Sequence, residues 1–244
     1  TIDKALSHKD LLERNEELER QNKEYQLYLE DKVKERTTEL TERSLELKDA
    51  YKLLKEINLQ FVQTMAETIE AKDEYTRGHC DRMRIQCLRI GELLELSEED
   101  LETLEYATIL HDLGKIGVKE TIPNKPGKLT EEEFAEIREH PAKGEKILEG
   151  ITHMSSAAKI VGAHHENYDG TGYPKGIKGE EIPLSSRIIA VADIFDAMYS
   201  SRPYREKLTL DNVLAEIKRV AGKQLDPDIV EVFLREKVYL TTIK

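Results

Sequence analysis

Apolar residues recur every seven positions along the front of the chain, at Leu11, Leu18 and Tyr25 and then, after a slip of one residue, at Val33, Leu40, Leu47, Leu54 and Phe61. Leu29 lies inside that slip and marks a break in phase. Neither glycine nor proline occurs before Gly78, and Glu, Lys, Leu and Arg dominate, so the spacing predicts one continuous helix. A single apolar seam on so charged a helix buries little unless a second copy faces it. A parallel two-stranded coiled coil over residues 1–60 is therefore the economical arrangement. The alternative is a lone amphipathic helix lying on its own domain, and the polar companion heptad positions Asn15, Asn22, Thr37, Ser44 and Asn58 keep it open.

From about residue 61 to 244 the pattern becomes that of a globular domain. Helical spacing runs through Phe61, Met65 and Ile69, and again through Met83, Cys87, Ile90 and Leu94. Ser97 before Glu98, Glu99 and Asp100 predicts an N-cap with an acidic first turn, opening a helix towards Leu110 that carries a buried stripe of Leu101, Leu104 and Thr108, with Gly114 and Gly117 to end it. Residues 121–130 read as a loop. Thr130 and Glu133 predict a capping box, and Pro141 an interruption of the helix that follows. After a glycine- and proline-rich stretch at 166–186 come helices at 187–200, 210–221 and 227–238, the last opened by Asp226-Pro227. Strand signals are nearly absent, and the fold class is all-α.

Composition narrows the function. Charged residues make up 35% of the 244 and the net charge is −12, which argues against a nucleic-acid polymer or a membrane surface as partner. An anionic substrate would have to be drawn in by local positive charge. No apolar run reaches the roughly 18 residues of a membrane span, and no signal peptide is evident. The two cysteines, Cys80 and Cys87, fall seven apart in one predicted helix. They read as packing in a reduced, cytoplasmic setting. The first residue, Thr1 rather than Met, reads as the start of a processed chain or of a piece cut from a longer one.

Chemistry concentrates on five of the seven histidines, His79, His111, His140, His164 and His165, each beside acids, glycines or prolines at predicted helix ends or loops. His8 and His153 read as solvated or structural. At consecutive helical positions His111 and Asp112 diverge by about 100°, an arrangement suited to two metals or a bridged pair, with Lys115 one turn on. The adjacent His164 and His165 favour a loop wrapped around a charged centre. Asp193 lies within the apolar stretch IIAVADIFDAM, where an unpaired carboxylate would be costly. Asp196 follows on the same face. Nitrogen and oxygen ligands without cysteine favour iron, manganese or zinc over a thiolate site. Glu166 and Asp169 are candidates to fix the imidazole tautomers.

HDLGK at 111–115, NKPGKLT at 124–130, HHENYDGTGYP at 164–174 and ADIFDAMYSSRPYR at 192–205 resemble the HD-GYP phosphodiesterases, a subset of the HD phosphohydrolase superfamily. The resemblance runs from about residue 61 to the end and implies an HD-type helical bundle, here preceded by the long coiled-coil helix. It implies metal-dependent hydrolysis of cyclic di-GMP, and in some members of related cyclic dinucleotides, to pGpG or GMP. Carried over residue by residue, it makes His79, His111, Asp112, His140, His164, His165 and Asp193 metal ligands, with Asp112 bridging two divalent ions. Iron or manganese comes first among these, with zinc, nickel and cobalt also in range. Lys115 would meet the phosphate and stabilise its developing charge, and Asp193 would orient the attacking water or accept its proton. Arg202, Arg205 and Tyr173 would hold substrate. The segment Gly172-Tyr173-Pro174 would shape the loop beside the site and offer a docking surface for diguanylate cyclase (GGDEF) partners. Two positions depart from the family pattern. Tyr75 stands where three-metal members carry glutamate, which favours two ions, and Leu225 stands where phenylalanine usually precedes Asp-Pro. The opening TIDKAL and its charged coil are similar to the end of a response-regulator receiver domain and its linker. That likeness implies the output half of a two-component regulator. The competing reading is a catalytically weak module that senses cyclic dinucleotides or docks onto GGDEF partners. Its usual mark would be missing ligands, and every ligand position here is filled.

Overall fold

In the computed structural model, residues 2–70, 78–122, 125, 127, 129–200 and 208–243 are described. The first helix, α1, runs Ile2–Glu70, and the chain divides into two compact units, Thr1–Asn58 and Leu59–Lys244. Within the first unit the heptad residues lie open to solvent, Leu40 at 67% and Leu47 at 72% exposure. Its ion pairs, such as Lys32 to Glu35 and Arg43 to Glu39, are surface pairs three or four residues apart. They add only a few tenths of a kcal/mol each, and among the described residues of this unit nothing buries the seam.

The second unit is all-helical among its described residues. It comprises the end of α1, then α2 (His79–Leu93), α3 (Glu98–Leu110), α4 (Glu131–Arg138), α5 (His140–Glu149), α6 (Ser155–Val161), α7 (Leu184–Tyr199), α8 (Leu210–Val220) and α9 (Pro227–Arg235). α2 packs on α3, α7 and α9, and α6 lies between α3 and α5. The core is continuous through Met83, Cys87 and Ile90 of α2, Leu104 of α3, Ile188, Ile189 and Phe195 of α7 and Phe233 of α9. Phe195 meets Phe233 edge-on at 5.3 Å and stacks on Tyr199 at 5.6 Å. No helix of the described residues is long and apolar enough to cross a membrane.

Several local expectations hold. The Ser97 hydroxyl accepts from the Asp100 amide, Thr130 and Glu133 form the reciprocal capping box, and Asp226 caps α9 ahead of Pro227. Both cysteines are buried thiols, and burial pushes the Cys87 thiol up to about 12. Others are corrected. Phe61 and Met65 are exposed, and the face of α1 that packs is Val62, Ala66 and Ile69. α3 ends at Leu110 as expected, but Gly114 and Gly117 do not form its end: they sit in a separate 3-10 turn, Leu113–Gly117. Gly114 is there for contact: a Cβ on it would lie 1.9 Å from the His140 carbonyl oxygen. Pro141 does not interrupt a helix but occupies the first turn of α5, where a missing amide hydrogen costs nothing. α9 ends at Arg235 rather than 238, because Lys237 adopts a left-handed conformation and a 3-10 turn follows.

Candidate metal centre

Helix ends deliver the imidazoles. His79 opens α2, His111 caps the C-terminus of α3, His140 opens α5, and His164 and His165 follow the last turn of α6. In three cases the local turn orients the ring in the same way. Nδ1 lies against the carbonyl oxygen three residues back, at 2.8 Å for His111 on Thr108, 2.7 Å for His140 on Ile137 and 2.6 Å for His164 on Val161. A carbonyl only accepts, so Nδ1 carries the proton and Nε2 presents a lone pair. His79 reaches the same state through a side chain, with Nδ1 2.7 Å from Asp196. Arg82 clamps that carboxylate from the other side, with Nε at 2.6 Å from one oxygen and a terminal nitrogen at 2.9 Å from the other.

The lone pairs gather into two groups. His140, His164 and His165 form one, and His79, His111 and Asp193 the other, the candidate ligand atoms of each within 4.8 Å of one another. Asp112 spans them: one oxygen is 3.3 Å from Nε2 of His140, the other 3.4 Å from Nε2 of His111 and 2.6 Å from the Lys115 ammonium. All seven residues expected as ligands are thus brought together. The contact that tests their fitness for metal is His140 Nε2 to His164 Nε2, 3.2 Å apart. With both Nδ1 atoms already donating, two lone pairs face each other in a buried space. A shared cation relieves that arrangement and two neutral rings do not. The nitrogen- and oxygen-only donor set suits a divalent transition ion.

The electrostatics agree. Burial pushes His164 well below the ordinary imidazole range, lowers His140, and brings His165 to about 4, with the neighbouring rings adding to the effect in His164. Three neutral imidazoles are what a metal requires. His111 differs: burial opposes its charge, but Asp112 and then Asp193 outweigh burial and raise it to about 9. Burial would likewise raise Asp112, yet Lys115 and His111 hold its carboxyl well below the usual range. A carboxylate that stays ionised among imidazoles is suited to bridging.

A cleft of about 310 Å³ opens on this centre, lined among others by His164, His165, Asp193, Tyr173, Arg138 and Phe134. Tyr173 lies 5.0 Å from the His165 ring, and burial, then Asp193 and Asp112, push its phenol up to about 12. It is held there by a tight loop, in which a Cβ at Gly172 would fall 2.1 Å from the Asn167 amide nitrogen. Arg202, Arg205 and Tyr75 lie outside the described residues, as do Asn124, Pro126 and Lys128 of the NKPGKLT motif.

The expectation for Glu166 and Asp169 is corrected. Glu166 is buried and accepts from the amides of Lys175 and Gly176, while Asp169 accepts from Thr171, so both shape the loop and neither touches an imidazole. Backbone carbonyls and Asp196 fix the rings instead. Sequence reasoning also passed over Arg82 and Arg138. Arg82 stands three residues after His79, on the same helical face. Arg138 follows Phe134 at the i+4 spacing that brings a guanidinium over a ring, here 4.5 Å from its centroid.

The pattern of the HD-domain family matches residues 46–229. The chain is similar to the cyclic di-GMP phosphodiesterase response regulator RpfG of Xanthomonas campestris pv. campestris, at 39% identity over 87% of this chain and 56% of that protein. It is also similar to 3'3'-cGAMP-specific phosphodiesterase 3 of Vibrio cholerae, at 41% identity over 68% of this chain and 36% of that one. It therefore spans about half the length or less of these curated relatives. Among solved structures, a cyclic GMP-AMP specific phosphodiesterase of V. cholerae shares the fold with a TM-score of 0.56 at 23% identity, covering 72% of this chain and 48% of that one.

Proposed function

The chain belongs to the HD-domain family, and from that premise we propose that it hydrolyses the phosphodiester bonds of a cyclic dinucleotide with the help of two divalent cations. Cyclic di-GMP is the first candidate substrate and pGpG or GMP the product. The observation that carries this reading is the pair of three-residue groups joined by Asp112 beside an open cleft. His140, His164 and His165 would hold one ion, His79, His111 and Asp193 the other. Bound there, the cations would polarise phosphoryl oxygens and acidify a water. The chain's own groups supply the rest. Lys115, one turn beyond Asp112, would bring an ammonium to the charge that grows on the phosphate. Asp193, part exposed in the cleft wall, would orient the water and take its proton. The dinucleotide names of the relatives with 39% and 41% identity support the substrate class. Iron or manganese is the proposed metal.

Protein reconstituted anaerobically with iron or manganese is expected to turn over cyclic di-GMP and to lose that activity on chelation. The 3'3' GMP-AMP analogue serves as the competing substrate. Failure of the loaded protein to hydrolyse either one defeats the reading. Asp196 gives a second check. Replacing it by alanine removes the hydrogen bond that orients His79 and should weaken metal retention about 10- to 100-fold, measured as metal left after dialysis against a graded chelator. Wild-type retention would deny Asp196 that role.

The exposed seam Leu11, Leu18, Tyr25, Val33, Leu40, Leu47 and Leu54 supports a parallel homodimer through α1, consistent with a linker that passes an upstream receiver's state to the catalytic unit. Sedimentation should then report a dimer, and Leu40→Glu with Leu47→Glu should shift it to monomer. A wild-type monomer at micromolar concentration would exclude the coiled coil.

A further inference from the structure

Arg138 ends α4 at the cleft wall, with its guanidinium carbon 4.5 Å from the centre of the Phe134 ring and 5.4 Å from that of Tyr173. Ring contacts use the flat face of a guanidinium and leave its N–H edge. Among the described residues that edge meets no carboxylate and no other acceptor. Most other arginines of this unit behave differently. Arg82 sits on Asp196, Arg84 on Glu105, Arg187 on Asp226 and Arg219 on Glu216. Arg138 is thus a fixed, planar cation beside the metal centre, and its position is set by stacking rather than by an anion of the protein. Tyr173 lies in turn on His165, so Arg138 stands one aromatic ring away from a proposed metal ligand.

We propose that Arg138 binds a phosphate of the cyclic dinucleotide, the one that is not being cleaved. The inference rests on the substrate class proposed above. A cyclic dinucleotide carries two phosphodiesters. If one is seated at the metals, the other must be accommodated without metal, by a protein whose net charge of −12 opposes its approach. A guanidinium edge matches two phosphate oxygens in a fork. A purine stacking on the same residue is less well served, because the planar face is already engaged with Phe134 and Tyr173.

The test compares Arg138→Gln and Arg138→Lys with the metal-loaded wild type on two substrates. One is cyclic di-GMP. The other is bis(p-nitrophenyl) phosphate, a diester with no second phosphate. The proposal expects the ratio of kcat/KM for the dinucleotide over the simple diester to fall about tenfold or more in Arg138→Gln, carried by KM. Arg138→Lys, which keeps the charge and loses the fork, should recover part of that ratio. If Arg138 served only to fasten the Tyr173 loop to α4, both substrates would suffer together; an unchanged ratio therefore overturns the proposal. Should Arg138→Gln melt early or lose metal, the Lys variant carries the comparison on the same ratio. A wild type that cleaves the simple diester but not the dinucleotide overturns the substrate reading and the Arg138 assignment with it. That result is distinct from a wild type active on both whose variants keep the ratio, which overturns Arg138 alone.

Discussion

Asp112→Ala is expected to fold normally and to lose dinucleotide turnover by about three orders of magnitude, roughly 4 kcal/mol of transition-state stabilisation. Asp112 is the carboxylate that reaches both imidazole groups, at 3.3 Å from His140 and 3.4 Å from His111, and it anchors the Lys115 ammonium at 2.6 Å. Its removal takes away the carboxylate that joins the two groups, so metal content should fall with the rate. Folding should survive because the helices around it are held by the apolar core through Met83, Ile90, Leu104 and Ile188. Turnover and metal content measured on the same preparation check both halves. A variant within tenfold of wild type would show that Asp112 does not join the two groups. Asp112→Asn keeps the shape and loses the charge, and should sit close to the alanine variant if charge is what matters.

The largest effect on stability is expected at Asp226. One of its oxygens accepts from the amides of Asp228 and Ile229 at the start of α9, and the other receives the guanidinium of Arg187 from α7. Asp226 is 3% exposed. Alanine there removes a cap and strands a largely buried cation, a loss of about 3 kcal/mol or more. Because Arg187 lies on the helix that bears Asp193 and Asp196, the damage should reach the metal centre as well. Urea unfolding of the metal-free protein isolates the stability component, and a midpoint within error of wild type would contradict it. Asp226→Asn, which keeps an acceptor for the cap amides, should recover only part of the loss.

How much could be read without coordinates depended on how local the cause was. The capping box at Thr130 and Glu133 and the Asp226-Pro227 start depend on residues three apart or fewer, and they form as expected. The five histidines, Asp112 and Asp193 stand out by their places at helix ends, in loops and in an apolar stretch, and the resemblance to the HD-GYP phosphodiesterases is what makes all seven ligands. The phase of α1 was misjudged near residue 61, since apolar residues lie on two faces there. Phe61 and Met65 continue the exposed seam, while Val62, Ala66 and Ile69 pack. Only the position of α2 and α3 decides between those faces. Glu166 was misassigned because the loop reverses and brings the Lys175 and Gly176 amides to it from nine and ten residues away. Arg138 looks like an ordinary surface cation in a charged segment until Tyr173, distant in sequence, is folded beside it. In each miss, the deciding neighbour lies nine or more residues away in the chain.

Anomalous diffraction from crystals of anaerobically prepared, iron- or manganese-loaded protein tests the central claim most directly. Two peaks are predicted, one among His140, His164 and His165 and one among His79, His111 and Asp193, with the Asp112 carboxylate between them. A single peak, or peaks away from these side chains, would contradict the two-ion hydrolase.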